Sequence, residues 1–127
     1  MQKLNVAIYD QNMQKQVIRD VILSDQEEVT EVACDFAGPY KAIVVNDGDY
    51  AFCKVSYDEQ SVDCFQEELY KVDDVLERCV IWRQLWIMVL DGKVSSVKYC
   101  DIVAKQLKHE SIEQIFTNVL ESLDHLV

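Results

Sequence analysis

The sequence holds few groups able to do chemistry. There are two histidines, His109 and His125, sixteen residues apart. The run His109-Glu110-Ser111-Ile112-Glu113 begins like the H-E-x-x-H motif, in which two histidines one helical turn apart bind zinc and the glutamate polarises water. Glu113 stands where the second histidine should be. Ser111 reads as a helix cap, so His109 and Glu113 would straddle a helix start and share no face. The acidic loop Asn46-Asp47-Gly48-Asp49 fails the calcium-loop register, because Ile43 falls where the first aspartate belongs. It reads instead as a turn. The serines flank helix starts, where capping accounts for them. Three glycines in the whole chain leave no phosphate-cradling loop. Trp82 and Trp86, at i and i+4, read as core. On its residues alone the chain is a packing or interaction module with no catalytic set of its own.

Composition points the same way. Twenty-three acidic against twelve basic residues give a net charge of -11. With no basic face, neither nucleic acid nor an anionic membrane is expected as a partner. The five cysteines, Cys34, Cys53, Cys64, Cys79 and Cys100, are odd in number and lack C-x-x-C spacing. They are expected to be reduced, mostly buried small hydrophobes in a cytoplasmic chain. No apolar run reaches the ~20 residues that span a bilayer, and the residues after Met1 are not expected to act as a signal peptide.

The elements that must position these residues change character near Asp58. Upstream the apolar residues alternate. Leu4, Val6 and Ile8 make a half-buried strand, and Val17, Ile18, Val21 and Ile22 complete a hairpin. Short strands are expected near Val29 to Val32, over Lys41 to Val45 and over Tyr50 to Tyr57, four or five in all. Downstream the period is helical. Ser61 to Tyr70 makes a first helix. Asp73 or Asp74 caps a second that runs to Leu90, with Gly92 past its end. On that second helix Val72, Val75, Leu76, Cys79, Trp82, Trp86 and Val89 form one stripe, and Val80, Ile81, Leu85, Ile87 and Met88 cover much of the rest, so it is expected to be central and buried on several sides. Ser95 or Ser96 caps a third helix to about Lys108. Ser111 with Gln114 forms a capping box for a fourth, whose stripe is Ile112, Ile115, Phe116, Val119, Leu120 and Leu123. That pattern is still running at Leu126 and Val127, as expected either of a last helix that ends at the natural C-terminus or of a chain cut from something longer.

The fold class expected is α+β by segregation. Residues 1–60 make a small antiparallel β-sandwich connector domain, and residues 61–127 make α-helices packed as the start of an α-solenoid or superhelical domain.

The junction carries a family pattern. Val45-Asn46-Asp47-Gly48-Asp49-Tyr50, then Lys54-Val55, then Tyr57-Asp58-Glu59-Gln60-Ser61 resemble the sheet-to-helix junction of zinc-dependent aminopeptidases of the aminopeptidase N family, in its bacterial-type branch. The hairpin Leu4 to Leu23 is similar to the opening of the β-sandwich that precedes this junction. Asp73 to Gly92 resembles the first long helices of the family's C-terminal superhelical domain. The resemblance implies a non-catalytic portion that caps the parent's active site and shapes peptide access. It implies that the zinc ligands and the general base lie in an upstream catalytic domain. That missing domain, and peptide substrates met through it, are then the partners, with no cofactor in this chain and zinc in the parent. Of the family's positions only Asn46, Asp47, Gly48, Asp49, Tyr50, Lys54, Val55 and Asp58 carry over, as a structural interdomain hinge.

Overall fold

The computed structural model describes residues 2–23, 26, 29–31, 38–47 and 55–126. It divides into two compact units, Met1–Ser61 and Val62–Val127.

In the first unit β1 (Gln2–Asp10), β2 (Lys15–Leu23) and β3 (Tyr40–Val45) form an antiparallel sheet in the order β2-β1-β3. The hairpin turn is set by Asp10, whose Oδ1 accepts the backbone N–H of Asn12 at 2.8 Å and of Gln14 at 2.9 Å. Met13 takes a left-handed φ of 59° to close it. The β1–β2 register slips by one between Leu4 and Val6. At that bulge Asp20 adopts φ 58°, and the Asn5 side chain accepts its N–H. The central strand is more enclosed than a half-buried strand. Ala7, Ile8 and Tyr9 are consecutive and all buried, so both faces of β1 are covered there. Two expected strands fall partly outside the described residues, as Val32 does. Val29 to Glu31 lie outside any strand, and so do Val55 to Tyr57; Tyr50 to Lys54 lie outside the described residues. Three strands in one sheet are present among the described residues.

Helix α1 (Glu59–Glu68) begins at the end of the first unit and runs into a 3₁₀ turn, Leu69–Lys71. The second unit continues with α2 (Val75–Leu90), α3 (Ser96–Gln106) with a 3₁₀ turn at Leu107–His109, and α4 (Glu113–Asp124). Strands followed by helices make an α+β chain.

The caps follow local chemistry. Asp74 Oδ1 accepts the N–H groups of Leu76 and Glu77, and Ser95 accepts that of Lys98. Helix α2 stops in a Schellman motif, in which Lys93 N–H donates to Met88 O at 2.8 Å and Gly92 N–H to Val89 O at 3.0 Å. Gly92 takes the left-handed φ of 75° that this closure needs. The capping box expected from Ser111 and Gln114 does not form. The N-cap of α4 is Ile112, with no side-chain cap bond, because Ser111 lies one residue too early.

Helix α2 packs against both α3 and α4 and is central. Its buried face is Glu77, Val80, Ile81, Gln84, Leu85 and Met88, at i, i+3, i+4, i+7, i+8 and i+11, joined by Trp82. The expected stripe through Val75 and Leu76 is corrected, for both are exposed at the helix's first turn. The periodic face was obscured by its two polar members, Glu77 and Gln84. The cysteines also differ from expectation. Cys64 and Cys79 are half-buried and Cys100 is exposed, none of the three in a disulfide; Cys34 and Cys53 lie outside the described residues.

Candidate functional site

The junction residues were the candidates, and the described ones all fall in the first unit. Asn46 ends β3 in a left-handed conformation, φ 64°, and is buried. Asn46 therefore carries a positive φ, which asparagine tolerates because its short amide is able to bond locally. Asp47 pairs with Lys15 of β2, Nζ to Oδ1 2.7 Å. Val55 is buried. Gly48, Asp49, Tyr50 and Lys54 lie outside the described residues.

Asp58 stands immediately before α1 and accepts a hydrogen bond from the Ser61 hydroxyl. The same Ser61 Oγ accepts the backbone N–H of Ile43 at 2.8 Å. One residue earlier, Gln60 Nε2 donates to Tyr40 O at 2.6 Å. These two side chains therefore occupy a donor and an acceptor on β3, the edge strand among the described residues, that would otherwise offer themselves to another strand. Ser61 is fully buried, a burial a hydroxyl tolerates only when both its donor and its acceptor are used. Sequence reasoning missed Gln60 and Ser61 as functional positions. The available signal was D-x-x-S at a helix start, which explains the local bond but not the distant one. Ser61→Ala is expected to lower stability by about 1–3 kcal/mol, because it leaves the Ile43 N–H without its acceptor. Chemical denaturation of the purified chain checks it, and a loss below a few tenths would show that water replaces the hydroxyl.

The second unit has its own polar framework. Along α1 and α3, Lys98 meets Asp63, Gln66 Nε2 donates to Asp101, and Lys105 meets Glu67 at 2.6 Å. The Gln66 bond, aided by Lys105, holds Asp101 below the usual carboxylate range, while Glu67 and then Asp101 raise Lys105. Asp101 therefore favours the fold above its unfolded pKa, and that contribution is lost as pH falls through its lower folded value.

Two buried devices sit deeper. The Gln106 carboxamide accepts the N–H of Tyr70 at 3.0 Å and donates to Gln66 O at 2.8 Å. Arg78 Nη1 donates to Val72 O at 2.7 Å and to Asp73 O at 3.2 Å, while its Nε donates to Glu110 Oε1 at 3.0 Å. Trp82 Nε1 approaches the same Glu110 oxygen at 3.4 Å. Burial pushes the nearby Cys79 thiol up, with the Glu110 charge adding to it.

None of this is a catalytic constellation. His109 stacks on the Tyr70 ring, centroids 4.3 Å apart, and His125 stacks on Trp86 at 6.2 Å. His109 closes a 3₁₀ turn and Glu113 opens α4, so the two do straddle the helix start. Among the described residues no group of three or more His, Cys, Asp or Glu side chains is placed to hold a metal ion. No helix among them is long and apolar enough to cross a membrane.

A model of the ERAP1-like C-terminal domain matches residues 42–127, from β3 through α4. The chain belongs to the ERAP1-like C-terminal domain family. It is also similar to the aminopeptidase N of Streptomyces lividans, at 30% identity over 69 residues, which is 54% of this chain and 8% of that protein. The resemblance to the aminopeptidase N family is thus borne out, and this is a C-terminal domain of the aminopeptidase type. The ERAP1-like match takes in every hinge position named above, together with Gln60, Ser61, Arg78, Gln106 and Glu110.

Proposed function

We propose that this chain is the non-catalytic C-terminal segment of a zinc-dependent aminopeptidase, capping the parent's active site and shaping the access of peptides to it. The observation that carries the reading is the family match over residues 42–127. It is supported by the small share, 8%, of the Streptomyces relative that the aligned stretch represents. Peptide hydrolysis would then belong to an upstream domain holding the zinc, water-activating and amino-terminus-binding groups. The part left to this chain is steric. A rigid β-edge sealed by Gln60 and Ser61 fixes where α1 starts, and the helices that follow supply a wall.

The purified chain is expected to bind no stoichiometric zinc and to leave an amino-acid anilide uncleaved. Grafted in frame behind the catalytic part of the Streptomyces enzyme in place of the matching segment, it is expected to change KM for peptides of about ten residues and to leave the small anilide almost untouched. One zinc per isolated chain, lost on His109→Ala, would overturn the non-catalytic assignment. Equal effects on long and short substrates would overturn the access role. A second reading, a stand-alone interaction module without catalysis on the same scaffold, is favoured by apolar side chains left exposed on α4.

A further inference from the structure

We draw no further inference here: the strongest candidate, the side-chain cluster between the start of α2 and the loop before α4, where the buried Glu110 carboxylate keeps one oxygen, Oε2, without a hydrogen-bond partner among the described residues near the Cys79 thiol, carries nothing because Arg78 and Trp82 already make that carboxylate part of the structural framework described above and its link to Cys79 rests on the raised thiol pKa alone.

Discussion

Arg78→Met is expected to lower the stability of the helical unit by about 3–5 kcal/mol, the largest loss of any single change considered for this chain. The size follows from what the guanidinium leaves behind. The Glu110 side chain is 3% exposed and that of Arg78 is 13% exposed, so their 3.0 Å contact lies out of water. Removing the cation strands a carboxylate whose other close donor is the Trp82 indole at 3.4 Å. It also frees the carbonyls of Val72 and Asp73, which Arg78 gathers at the start of α2. Arg78→Lys is expected to recover only part of the loss, because an ammonium cannot reproduce the planar fork that reaches three acceptors. The decisive comparison is the double variant Arg78→Met, Glu110→Leu. If the stranded charge is the main cost, the double variant is more stable than Arg78→Met alone. Both tryptophans, Trp82 and Trp86, lie in α2, so their fluorescence during urea unfolding reports on this unit directly. A loss under about 1 kcal/mol would show that Glu110 is served well enough without the arginine.

Gln106→Leu is expected to cost about 2–3 kcal/mol, again read by tryptophan fluorescence in urea. Gln66 O and Tyr70 N–H are four residues apart and would bond directly in a continuing α-helix. In this chain the Gln106 amide is inserted between them, accepting from Tyr70 and donating to Gln66. The insertion coincides with the place where α1 gives way to the 3₁₀ turn Leu69–Lys71. Leucine fills the space but serves neither group. The cost stays at the low end for two orphaned polar groups because that pair can partly close on itself. Gln106→Glu separates the two halves of the effect, since a carboxylate accepts from Tyr70 but cannot donate to Gln66. It is expected to fall between the wild type and Gln106→Leu at neutral pH. A leucine variant as stable as the parent would show that α1 simply extends by a turn.

These sites show how far the one-dimensional pattern reaches. The first helix is expected from the sequence over Ser61 to Tyr70. The structure starts it at Glu59, immediately after Asp58, which accepts the Ser61 hydroxyl, and ends it at Glu68, where Gln106 intervenes. The start is signalled by residues within one turn of each other, whereas the end depends on a residue 40 positions away from Gln66. Helix α2 teaches the same point about faces. An arc of apolar residues nearly all round it was legible and correctly marked it as central. Which arc is most deeply buried was not legible, since that face includes Glu77 and Gln84, while Val75 and Leu76 are left to solvent.

The sequence by itself determined the hairpin Leu4 to Leu23, the change from strand to helix period near Asp58, caps at one of Asp73 and Asp74 and one of Ser95 and Ser96, the stop at Gly92, and the family. Each is written in residues a few positions apart, because alternation, helical spacing and capping act within a turn or a hairpin. The tertiary structure alone decided that Ser61 seals the edge at Ile43, that Arg78 holds Glu110, and that Gln106 closes α1. Those bonds join residues 18, 32 and 40 positions apart. A single serine, arginine or glutamine carries no periodic signal of a partner at that distance. It acquires one only when the backbone brings an unsatisfied N–H, carbonyl or carboxylate beside it and excludes the water that would otherwise serve.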